Sequence, residues 1–248
     1  MRSILLASAA VLMLTATPAL AQDDSATGLY IQLNGGITSL SDLDIDLLDV
    51  DGAGTDVGTS ARTKSSAEFG GAIGYDFGLI RAEVEVAYSR ARNNALTLKT
   101  VNGTAVPANA VQDFVNEGID TDVIDLSDAT DIKVDNNTIS YGNGPRIRRL
   151  SAMANLWLDL PVNLGGIQPY VGGGIGMQGS EVQGEGKVSF AWQLGAGASL
   201  PVTSSIAITA DYRHREQAGY TLSDSGYEYA RIGKAKSNSF ALGLRVTF

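Results

Sequence analysis

The 248-residue sequence has no cysteine, a single histidine and six prolines. Without cysteine there is no disulfide framework, no thiolate metal site and no cysteine nucleophile. With 29 glycines but so little proline, it is neither collagen-like nor proline-rich. No segment reaches the ~18 consecutive apolar residues of a membrane helix, which excludes a helical membrane protein. It does not exclude a barrel, whose strands carry apolar residues only at alternate positions.

The N-terminal stretch "MRSILLASAAVLMLTATPALA" has one charge at Arg2 and an apolar core from Ile4 to Leu14, then Pro18 and Ala19-Leu20-Ala21. That is the layout of a secretory signal peptide cleaved after Ala21. Residues 1–21 are therefore set apart, and the domain is expected over 22–248.

The last ten residues, "SFALGLRVTF", alternate strictly. Phe240, Leu242, Leu244, Val246 and Phe248 are apolar, and the residues between them are small or polar. A period of two marks a strand with two unlike faces. The pattern recurs seven more times upstream. In "LIRAEVEVAYSR", Ile80, Ala82, Val84, Val86 and Tyr88 oppose Arg81, Glu83 and Glu85. The minority face collects Glu68, Arg81, Glu83, Glu85, Asp159, Asp211, Arg213 and Arg245 among glycine and alanine. A soluble sandwich would show Lys and Glu outside, not so many glycines. Small residues beside acids and bases suit a narrow interior, so the apolar face is read as facing lipid. Lipid tolerates no open sheet edge. The expected fold is an all-β, closed, antiparallel, eight-stranded transmembrane β-barrel.

Connections alternate in length, as such a barrel requires. Short ones fall near Asp76–Leu79, Pro161–Gly166 and Pro201–Ser204. Long ones fall near 41–63, 93–146 and 218–236, with a shorter one near 179–187. Long loops are expected outside the cell and both ends of the barrel in the periplasm. In the long third connection, "LTLKTV" and "IKVDNNTIS" are expected to extend strands as a hairpin. "PANAVQDFVNEG" reads as a short helix between Pro107 and Gly118 that offers Val111, Phe114 and Val115 to the barrel mouth or a partner.

The stretches "LYIQLNGGIT", "FGGAIGYDFGLIRAEVEVAYSR", "IQPYVGGGIGM", "FAWQLGAGASLPVTSSIAITADYRHR" and "NSFALGLRVTF" resemble the small eight-stranded outer-membrane barrels of Gram-negative bacteria, the OmpA-like and opacity-type proteins. The resemblance implies a location in the outer membrane. It also implies that Phe240, Leu242, Leu244, Val246 and Phe248 form the signal read by the barrel-assembly machinery. The sequence departs from part of that family in carrying no peptidoglycan-binding domain after the barrel.

Within this frame the interior charges Glu68, Arg81, Glu83, Glu85, Asp211, Arg213 and Arg245 are expected to pair as a plug, since eight strands leave room only for side chains. The alternative is a narrow porin-like channel for ions or small solutes, gated by the same pairs. Residues 41–63 carry six acids against Arg62, and 100–145 carry eight against Lys133. "DLLDVDGAGTDVG" looks like a calcium loop, but aligning Gly52 puts Leu47 first and Gly58 last, so the template fails. Arg90, Arg92, Arg146 and Arg148 face outward by parity at the height of lipopolysaccharide phosphates, which arginine pairs with well. "GIGMQG" matches a dinucleotide pattern, but no helix follows it. His214 lacks a paired serine and reads as an interfacial aromatic. The expectation is a non-enzymatic barrel without metal or cofactor that supports the envelope. Its partners would be lipid, lipopolysaccharide, the assembly machinery and an extracellular contact, with no nucleic acid.

Overall fold

Alternating sequences build strands, and strands leave unpaired backbone groups at every edge. In the computed structural model those edges meet. The structure describes residues 27–107, 111, 131–142, 144–162, 164–182, 185–224 and 226–248. The expected signal peptide lies outside them, as does most of the expected helix near 107–118, of which Val111 is buried. The strands are β1 Gly28–Leu40, β2 Leu43–Leu47, β3 Val57–Thr63, β4 Ser66–Asp76, β5 Ile80–Val101, β6 Thr104–Ala105, β7 Lys133–Asp135, β8 Thr138–Ser140, β9 Arg146–Asp159, β10 Gln168–Val182, β11 Glu185–Pro201, β12 Ile206–Gln217, β13 Tyr220–Asp224, β14 Tyr227–Ile232 and β15 Ala235–Thr247.

Eight of them close a ring of antiparallel neighbours. β1 pairs with β4, β4 with β5, β5 with β9 and β9 with β10. β10 pairs with β11, β11 with β12, β12 with β15, and β15 returns to β1. Polarity is inverted relative to a soluble protein. On β9, Leu156 is 62% exposed while Asn155 and Trp157 beside it are each 2% exposed. An apolar band outside and a polar interior are the pattern of a membrane barrel. No helix among the described residues is long and apolar enough to cross a membrane, and strands do the crossing.

One end carries tight turns. The β4–β5 turn closes through Phe77 N–H to Ile80 O at 2.9 Å. It places Gly78 at φ 98°, where a Cβ would be strained, and Asp76 caps the Gly78 N–H at 2.8 Å.

The other end differs from the loops expected there. Residues 41–63 contain the β2–β3 hairpin, β5 runs unbroken to Val101, and 218–236 holds the β13–β14 hairpin. These join edge to edge in the order β13-β14-β2-β3-β5, with β8 and β7 beyond β5. The result is an outer sheet that continues part of the wall. Exposed edges next to one another gain by pairing, which overrides the acidic, turn-rich composition. "LTLKTV" extends β5 as expected and pairs antiparallel with β8, while the rest of "IKVDNNTIS" folds back as β7–β8 around Asn136 instead of lengthening the hairpin.

Inside, glycines make room for three rings. Tyr30 lies opposite Gly74, Tyr170 opposite Gly197, and Trp157 opposite Gly172, which in turn faces Gly195. A Cβ at Gly197 would sit 2.6 Å from the Tyr170 ring, and one at Gly195 would sit 2.7 Å from Trp157. Overpacking of this kind costs about 1–3 kcal/mol. Gly197→Val should therefore lower the unfolding free energy of the refolded protein, read from urea titration, by that much. Gly35→Ala, whose Cβ would meet Phe69 at an ordinary 3.6 Å, should change it little.

Candidate functional site

Parity sends every second side chain of eight strands into one narrow lumen, so charges there must find partners or neutralise. Glu85 is the hub. It forms an ion pair with Arg213, lies 3.4 Å from Arg215, and accepts from Asn155 Nδ2 at 2.9 Å. Arg215 also reaches Glu68 at 3.5 Å and donates to Gln193 Oε1 at 3.0 Å. Glu83 accepts from Tyr30 Oη at 2.7 Å, Asn155 Nδ2 at 2.9 Å and Trp157 Nε1 at 2.8 Å. Asp211 accepts from Tyr170 Oη at 2.7 Å and lies 3.8 Å from Arg213. Nearer the tight turns, Arg81 and Asp159 form a two-bond pair, both at 2.8 Å.

The rings work from both sides. Their polar tips hold carboxylates, and their faces receive arginines: Arg81 over Tyr170 at 4.5 Å and Arg213 over Trp157 at 5.5 Å. Of the charges expected inside, Arg81, Glu83, Glu85, Asp211, Arg213 and Arg245 are buried and Glu68 is half-buried. Arg245 stands apart from the network. It donates to Ser199 at 3.1 Å and sits over Tyr30 at 5.7 Å. A cavity of about 10 Å³ bounded by Glu68, Glu85, Arg213 and Ser239 has the size for one water.

Sequence reasoning missed Arg149 and Arg215 as lumen residues. Both are 4% exposed and point inward. Parity would have found them, since Arg215 follows Arg213 by two and Arg149 precedes the outward Leu150. Asn155 and Gln193 fall on the minority face by parity but carried no sign of a bonding role, and the rings of Tyr30, Trp157 and Tyr170 were given no role.

On the outer surface, Arg90, Arg92, Arg146 and Arg148 are all exposed. Register sets Arg90 directly opposite Arg148 and Arg92 opposite Arg146. The Arg90–Arg148 row lies just beyond the apolar belt, because Tyr88 and Leu150 two residues inward are 42% and 55% exposed, and the Arg92–Arg146 row lies one step further out. Arg148 also pairs with Glu181 at 3.2 Å. Phe240, Leu242, Leu244 and Phe248 are exposed and Val246 half-buried along β15. His214 faces out, with Nδ1 2.9 Å from Asn238 Oδ1 and its ring 5.8 Å from Trp192. Glu216 pairs with Lys234 at 3.1 Å and Lys236 at 3.8 Å.

In the acidic turn, carboxylates are spent locally. Asp51 accepts from Thr55 Oγ1 at 2.6 Å and Ala53 N at 2.9 Å, and the Thr55 hydroxyl holds its pKa below the usual carboxylate range. Among the described residues no group of three or more His, Cys, Asp or Glu side chains is placed to hold a metal.

A closed antiparallel ring with an apolar outside and a charged inside defines an integral outer-membrane barrel. Residues 7–248 match the outer membrane protein beta-barrel domain family, and the chain belongs to it. Among solved structures it is similar to the outer membrane protein OprG from Pseudomonas aeruginosa, at 14% identity and TM-score 0.51, covering 92% of this chain and 100% of that one. It is also similar to Neisserial surface protein A, at 15% identity and TM-score 0.47, covering 89% and 97%. No curated protein sequence matches it. The protein is thus a bacterial outer-membrane protein, and these likenesses speak to fold alone.

The hub gives a direct test. Removing one member of a buried pair strands the other charge at about 3–5 kcal/mol. Glu85→Gln keeps the shape but leaves Arg213 and Arg215 under-compensated, so the unfolding free energy read from urea titration should drop by about 3–5 kcal/mol. Glu181→Gln, at the exposed rim pair, should cost no more than about 1 kcal/mol.

Proposed function

We propose that this protein is a non-enzymatic, non-conducting barrel that supports the outer membrane by binding lipopolysaccharide at its basic rim. The observation carrying this reading is the cross-strand register that sets Arg90 opposite Arg148 and Arg92 opposite Arg146. Like charges directly opposite one another destabilise a sheet. Arg148 has Glu181 beside it, and phosphate would add a counter-charge to the facing arginines, since arginine meets it with paired hydrogen bonds. Through the stripe Phe240, Leu242, Leu244, Val246 and Phe248 the chain would engage the barrel-assembly machinery. Through the acidic outer sheet it would meet an extracellular partner.

The paired interior favours a closed lumen over the channel reading. Planar-bilayer recordings of the refolded protein should be silent across voltage, and reproducible conductance steps altered by Glu83→Gln would replace this reading with a channel. The rim is tested by changing all four arginines to glutamine. Each arginine near an anionic surface contributes about 1 kcal/mol, so lipopolysaccharide co-purification should fall at least tenfold. Arg231→Gln in the outer sheet should leave it unchanged.

A further inference from the structure

Two buried lumen cations have no ion-pair partner among the described residues, Arg245 and Arg149, and Arg149 has more of its donors unmet. Arg149 is 4% exposed, yet its Nε and Nη1 reach no acceptor. Its Nη2 makes a single long bond of 3.3 Å to Thr38 Oγ1. A guanidinium offers five donor hydrogens, so most of this one's capacity is unused. Arg81, Arg213 and Arg215 each have a carboxylate. Glu68, which lies toward the same end of the lumen, is taken by Arg215.

Glu68 stands one strand beyond, opposite Ser89, and the immediate neighbours of Arg149 are hydroxyls. Register places Ser89 and Ser180 on either side of it across β5 and β10. Thr38 is flanked in the same way by Ser66 on β4 and Ser239 on β15. The Arg149–Thr38 bond ties the two rows together across the lumen. Thr38 Oγ1 accepts from both Arg149 and Ser239, the latter at 3.2 Å, so its own hydrogen is free to donate elsewhere. Ser66 Oγ is buried and has no hydrogen-bond partner. An uncompensated charge together with two free hydroxyl donors in one enclosed place is the chemistry that receives a bare anion.

We propose that the outer end of the lumen binds one chloride-sized inorganic anion between Arg149, Thr38 and Ser66. A monatomic ion suits the site because an eight-stranded lumen has room only for side chains and single small guests. A metal cation is repelled by Arg149. The ion acts as the counter-charge of Arg149 and completes the plug at its outer end.

The test uses the full chain refolded in detergent and ³⁵Cl NMR line widths titrated with chloride, beside sulfate at matched ionic strength. Saturable broadening is expected, together with a rise in thermal midpoint specific to chloride or bromide, and both should be lost in Arg149→Gln. Thr38→Val keeps the shape and removes one donor, so it should weaken binding severalfold even if Arg149→Gln fails to fold. Equal responses to chloride and sulfate, or chloride binding unchanged by Thr38→Val in a folded barrel, would overturn the site.

Discussion

Hydrocarbon offers the backbone no hydrogen bond, and everything else in this molecule follows from that. Each N–H and C=O inside the bilayer must be met by another strand. A sheet meets that demand without remainder only when its last strand pairs with its first, as β15 does with β1. Closure then dictates the chemistry of the two faces. Lipid claims one set of alternate residues, and the other set, whatever its polarity, is packed into a cylinder too narrow for bulk water. The charges of the lumen become tolerable because they are brought together there.

How they are reconciled depends on size as much as on sign. Tyr30, Trp157 and Tyr170 reach across the lumen only because a glycine lies beside each on the neighbouring strand. Each ring then serves a carboxylate with its polar tip, and each also lies under an arginine. Glycine, ring, acid and base form one unit. The high glycine count and the interior charge are parts of the same solution.

Much of this was legible in the sequence because strand parity is a local rule. The outward stripe of β15, the inward Arg81, Glu83 and Glu85, and the outward Arg90 and Arg92 all follow from counting by two. Partnership was not legible. Which acid meets Arg215, or that Arg90 stands opposite Arg148, depends on register between segments far apart in the chain, and no local pattern encodes it. The pairing of the long connections was hidden for the same reason. Acidic, glycine-bearing stretches such as 41–63 read as solvated loops. Their fate was set by neighbouring edges, with Asp46 finding Arg231 across β2 and β14.

With the long connections outside the cell, as proposed, the outer sheet would change what the cell presents to its surroundings. Separate flexible loops could each be recognised as a short peptide. Here residues from 43–47, 57–63, 93–101 and 227–232 share one folded face. Any antibody or host receptor that reads this face reads a discontinuous epitope. It exists only on the assembled barrel and is absent from every peptide cut from it.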